Sequence, residues 1–185
     1  DTATPYATTA ILTFFDETLD GLFNTPEERI TYCSENLEEN PNSLADLQCL
    51  ADAYQSLNMQ SELVEILKKI HQLNPTFESA LKLADVEQGN AKYGEAEKLY
   101  IEALEKAPTD KDKKEINIDL ADVNISMENL ELAKKYILKA LDIDKSYGLA
   151  YIKMATIYSQ AITSCTEQRD LEPFDRVVYL SLIHI

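Results

Sequence analysis

Apolar residues recur three and four places apart along most of this chain, which is the spacing of one helix face, and the arrangement repeats. The tripeptide Leu-Ala-Asp, present also at 44–46, recurs in phase at 50–52, 83–85 and 120–122, separated by 33 and then 37 residues, a period that predicts stacked helix pairs. In the first clear unit Leu47, Leu50, Ala51 and Tyr54 mark one helix, Leu63, Leu67 and Ile70 a second, and Pro75 closes the pair. The next has Ala80, Leu83 and Ala84, then Ala96, Tyr100 and Ala103, ending at Pro108. A third has Leu120 and Ala121, then Ala133, Ile137 and Ala140, with Lys145 in place of the closing proline and a charged connection, Thr109 to Glu115, ahead of it.

The two ends depart from the period. Tyr151, Met154, Ala155 and Tyr158 open a fourth unit, but an insert from Cys165 to Glu172 displaces its second helix beyond Pro173 and Phe174. An apolar helix is expected around Tyr6 to Leu22. Thr25-Pro26-Glu27-Glu28 then starts another, reaching about Glu39, because Thr25 can cap it, Pro26 fits the first turn and Glu28 completes a capping box. The chain therefore divides into a divergent helix pair (1–43), repeats at 44–76, 77–113 and 114–147, an incomplete repeat with an insert (148–179) and a tail (180–185). Ala51, Ala84, Ala121 and Ala155 fall where paired helices approach most closely, since a larger side chain would push the axes apart.

These residues resemble the tetratricopeptide (TPR) family over about three quarters of the chain, several repeats matching in phase. The resemblance implies an all-α fold, a right-handed α-solenoid of about five antiparallel helix pairs, and a role as a protein–protein interaction scaffold or adaptor. More narrowly, the helix from Tyr151 to Tyr158, Cys165 and the segment Asp175 to Tyr179 are similar to envelope-associated TPR proteins of Bacteroidota, which would imply the cell envelope or periplasm. Residues 180–185, Leu-Ser-Leu-Ile-His-Ile, resemble translated adapter read-through and are left out of the functional reading. Because the chain opens on Asp1, it reads as a processed or excised piece.

Charge and composition narrow the function classes. With 33 acidic against 17 basic residues, the formal net charge of −16 disfavours nucleic acid and anionic membranes. The lysine cluster Lys111, Lys113 and Lys114 is interleaved with Asp110, Asp112 and Glu115 and reads as a solvated turn. No apolar run is long enough to span a bilayer. Only four glycines and six prolines punctuate the chain, too few for a many-stranded β fold. Three cysteines without a C-x-x-C pair imply neither a disulfide framework nor a zinc site, so Cys33 and Cys49 are expected to be buried thiols.

In a TPR array the first helices line the concave surface, so the residue two places before each first-helix tyrosine position is expected to face the groove. Here those residues are Asp52, Asp85 and Asp122, with Gln48, Gln55, Gln88 and Asp119 on or near the same face. With neighbouring axes about 8–10 Å apart, such carboxylates form an acidic ladder suited to a basic peptide or protein segment. The alternative is a plain solvated helix face. The carboxylate clamp of chaperone adaptors is rejected, because Lys82 and Lys153 are the only nearby cations and like charges repel.

An enzyme is not expected. Carboxylates about 6.5–9.5 Å apart would match an inverting glycosidase, but an open groove leaves both ionised. The two histidines, His71 and His184, provide no base for a cysteine nucleophile, and His71 is placed at a helix end where it favours the dipole. Asp142-Ile143-Asp144-Lys145-Ser146 alternates like a calcium loop, yet Tyr147 replaces the required glycine and Lys153 the bidentate glutamate, so it reads as a turn. No metal or cofactor is expected. A second function class is assembly, with itself or within a larger complex, through the repeat ends; a third is an accessory region of a larger protein.

Overall fold

The computed structural model describes residues 25–167, with side chains to Ala161. Among the described residues there are eight helices and no strand: α1 (Pro26–Glu39), α2 (Leu44–Ser56), α3 (Gln60–Leu73), α4 (Phe77–Gly89), α5 (Tyr93–Lys106), α6 (Asp110–Ser126), α7 (Leu130–Ile143) and α8 (Gly148–Glu167). The expected helix at Tyr6–Leu22, the segment Asp175–Tyr179, His184 and the tail lie outside the described residues. The chain forms two compact units that divide between Leu99 and Tyr100, within α5.

Helix starts follow local side-chain chemistry. Thr25 accepts a hydrogen bond from the Glu28 backbone N–H and Pro26 occupies the first turn, so α1 starts and ends where the sequence places it. Ser43 caps α2 through the Asp46 N–H. Thr76 with Ser79 and Thr109 with Asp112 form complete capping boxes at α4 and α6. The last of these corrects an expectation: Asp110 to Glu115 are the opening turns of α6, not a connection. Their alternating acids and lysines support a helix through Lys113–Asp110 and Lys111–Glu115 pairs.

Three of the turns share one conformation. Asn58, Ala91 and Glu128 follow α2, α4 and α6 in left-handed backbone, at φ 56°, 58° and 62°. Each time the next residue donates back to a carbonyl five residues earlier: Met59 to Tyr54 at 2.9 Å, Lys92 to Glu87 at 2.9 Å and Asn129 to Asn124 at 2.8 Å. The left-handed residues keep the same separations as the Leu-Ala-Asp tripeptides, so the repeat is one of backbone geometry as well as sequence.

In the first unit α1 packs on α2, α2 on α3 and α3 on α4. Leu47, Ala51, Leu63, Val64, Leu67, Ile70 and Leu83 form its core, with Leu37, Leu44, Tyr54 and Ile66 closing the edge. A second cluster joins Cys33, Cys49 and Leu50. Here the structure overturns the reading of two buried thiols: Cys33 and Cys49 form a disulfide, with Cα atoms 6.4 Å apart. The two lie at equal sequence distance from Pro41 in the turn, so folding the α1–α2 hairpin brings them level. Closing so short a loop is worth about 3 kcal/mol in the chain-entropy account.

In the second unit α6 packs along α7, and α8 contacts both. Ile116, Ile118, Leu120, Ala121 and Val123 of α6 are buried, as are Ala133, Tyr136, Ile137 and Ala140 of α7. Ala51, Ala84 and Ala121 are at most 2% exposed, in keeping with close helix approach. Ala155, the fourth of the series, is exposed, because no described helix covers that side of α8.

Candidate protein-binding surface

The acidic positions of the first helices follow directly from the buried alanines. On a helix, the residue after a buried one is turned about 100° away from it, so Asp52, Asp85 and Asp122 emerge beside Ala51, Ala84 and Ala121. Asp85 is exposed, Asp52 and Asp122 half-buried.

In the first unit, Gln48 Nε2 donates to Asp52 Oδ1 at 2.8 Å, one turn apart on α2. This bond orients the carboxylate and uses one of its lone pairs. Gln55 is exposed at the end of α2, and Gln88 is half-buried near the end of α4, one turn beyond Asp85.

In the second unit the ladder position is already occupied. Asp122 Oδ2 on α6 lies 2.8 Å from Lys153 Nζ on α8, so this carboxylate is balanced within the protein. Both side chains are partly exposed, and such pairs contribute about 0–1 kcal/mol. Asp119, one turn earlier, is half-buried.

Two further polar groupings were not visible in the motif pattern. Lys114, assigned from sequence to a solvated turn, docks against the turn after α7: its Nζ is 2.8 Å from Asp144 Oδ2 and 4.2 Å from the centre of the Tyr147 ring. Asp144 also accepts from the backbone N–H and hydroxyl of Ser146. The Lys114 and Ser146 hydrogen bonds hold the Asp144 carboxyl at a pKa of about 2, and the same contact with Asp144 raises that of Lys114. The alternating acids of this segment thus serve a turn. Among the described residues no group of three His, Cys, Asp or Glu side chains could hold a metal ion.

The second grouping centres on Glu87, only 2% exposed, with Lys92 Nζ at 3.3 Å and Lys68 Nζ at 3.6 Å. Burial opposes the Lys68 ammonium, but the carboxylates of Glu65 and Glu87 outweigh it and raise its pKa. Glu87 follows Ala84 by three, as Tyr54 follows Ala51 and Asn124 follows Ala121. The aromatic place of the repeat is therefore taken by a buried acid in one unit and, in the other, by a buried amide whose Nδ2 donates to the Leu120 carbonyl at 2.9 Å. Aligning the three tripeptides would have exposed this. His71 joins helices rather than merely ending one: its Nδ1 is 2.9 Å from the Ser79 hydroxyl at the start of α4.

No described helix is long and apolar enough to cross a membrane. No family model matches the chain, and no curated protein matches it. Solved structures do. MamA aligns with a TM-score of 0.62 at 20% identity, over 71% of this chain and 76% of that one. The first TPR of Spaghetti (RPAP3), bound to the HSP90 peptide SRMEEVD, aligns at 0.54 and 17% identity, over 65% and 93%. YrrB, a TPR protein with an unusual peptide-binding site, aligns at 0.54 and 17%, over 70% and 66%. With its helix pairs, recurring turns and buried alanines, this chain has the all-α helical-repeat solenoid fold of the tetratricopeptide proteins.

Proposed function

We propose that the chain is a non-catalytic protein-interaction scaffold whose first-helix faces take a basic segment of a partner protein. The observation that carries this reading is the acid that directly follows the buried Ala51 of α2, Ala84 of α4 and Ala121 of α6. In the first unit these faces have Asp52 and Asp85, with Gln48, Gln55 and Gln88 beside them; in the second they have Asp122 and Asp119. Proteins of the same fold, RPAP3 and YrrB, bind peptides, which supports a scaffold in general terms. A −16 chain favours a cationic partner over an acidic peptide such as SRMEEVD.

The test is capture of partners with the wild-type chain beside the Asp52→Asn/Asp85→Asn/Asp122→Asn variant, at low and moderate salt. Basic partners lost on both treatments support the reading. Retention by the variant removes these faces from the account.

A second reading, assembly with another copy or a larger complex, is favoured by one feature of α8. Tyr151 and Ile152 are 54% and 62% exposed, whereas Asn117 and Ile118, in the same register of α6, are 4% and 2% exposed. Concentration-dependent size in light scattering, abolished by Ile152→Glu, would support assembly. A single size at all concentrations would exclude self-association.

A further inference from the structure

We infer that the working form of this chain is the oxidised one, made in an oxidising compartment by exchange with a disulfide-carrying oxidant, because the Cys33–Cys49 bond ties α1, which fully buries no other residue, to α2 of the first unit. Among its fourteen residues α1 fully buries one, Cys33. Its neighbours do far more: α2 buries Leu47, Cys49, Leu50, Ala51 and Ala53, and α3 buries Leu63, Val64, Leu67 and Ile70. Ile30 and Leu37 of α1 are only partly covered and Tyr32 is 43% exposed. A helix of this length is marginal without tertiary packing. The bridge supplies the missing attachment.

The bond is also protected. Cys33 is fully buried and Cys49 is 5% exposed, behind Leu50, Ile30, Leu37, Tyr54 and Ile66. Exchange requires a thiolate to reach a sulfur, so the folded unit shields what it contains. Among the described residues the two cysteines belong to no group of three His, Cys, Asp or Glu side chains that could hold a metal ion. Such a pair persists in compartments that are oxidising and is kept reduced where thiol reductants dominate.

The balance is that of thiol–disulfide exchange. The Cys33 and Cys49 thiols lose two protons and two electrons as their S–S bond forms, through a mixed disulfide with the oxidant. The oxidant's own disulfide breaks and takes up both electrons and both protons as two thiols.

The experiment uses the whole 185-residue chain, produced once by export into an oxidising compartment and once in a reducing cytoplasm, with alkylation at lysis. Non-reducing peptide maps should show the Cys33–Cys49 linked peptide in the first preparation and both cysteines alkylated in the second. Hydrogen exchange of α1 amides should be at least about tenfold faster in the second preparation, and in the Cys33→Ala/Cys49→Ala variant, while α3 amides keep their protection. Two alkylated cysteines in the exported protein would overturn the inference. So would α1 exchange that is the same with and without the bond.

Discussion

The α1–α2 pair and the α6–α7 pair are both antiparallel helix hairpins, yet they are held by different means. Where α1 buries one residue and is tied by a covalent bond, α6 buries seven, from Ile116 to Asn124, and is held mainly by packing, with the Lys114–Asp144 and Asp122–Lys153 ion pairs at its edge. A repeat fold adds up neighbour contacts, so a pair poor in apolar contact must find its stability elsewhere. The contrast predicts that damage in α6 acts through lost packing and damage at α1 through lost chain constraint.

The largest expected effect is in the packed pair. Leu120→Ala removes a fully buried side chain and should cost about 2–5 kcal/mol in denaturant unfolding of the second unit. Next comes the stapled pair: Cys33→Ala/Cys49→Ala should cost about 3 kcal/mol, with the loss confined to α1 and α2. Equal losses spread over both units would break the comparison. A gain is expected at the turns, where Ala91→Gly and Glu128→Gly remove the penalty of left-handed backbone and should each stabilise by about 1 kcal/mol in the same assay.

The smallest effect is on pH dependence, and it sharpens the picture of the α7 turn. The Asp144 carboxyl titrates at about 2 in the folded state, below its unfolded value, so its contribution is present above the unfolded pKa and is lost as pH falls through about 2. Lys114 carries the opposite sign: its raised pKa gives stability that is lost at high pH, as pH climbs through the folded value. An NMR titration of Asp144 should find its midpoint near 2, moving up toward the usual carboxylate range in Lys114→Met. An unchanged midpoint would remove the ion pair as its cause.

Much of the fold was legible because helical repeats write their contacts locally. The period, the caps at Thr25 and the close alanines at 51, 84 and 121 are all consequences of spacing along one chain. What escaped depends on which residues meet across a turn. The Cys33–Cys49 pairing needed the hairpin's register, and the docking of Lys114 needed the 30-residue reach to Asp144. A count of cysteines and a run of alternating charges contain neither. Ala155 escaped for the opposite reason: its sequence context matches the other alanines, but the covering helix is absent among the described residues. As for the candidate site, the acids were named from sequence, while the balancing of Asp122 by Lys153 came from the contact of α6 with α8.

The central claim is that this scaffold selects basic segments, and direct binding tests it best. A lysine-rich peptide and the SRMEEVD peptide would be titrated by fluorescence anisotropy into the wild-type chain and the Asp52→Asn/Asp85→Asn/Asp122→Asn variant, at two salt concentrations. The account predicts that the basic peptide binds, that salt and the variant each weaken it by at least about tenfold, and that SRMEEVD does not bind. Tighter binding of SRMEEVD, or basic-peptide binding unaffected by the three substitutions, would contradict it.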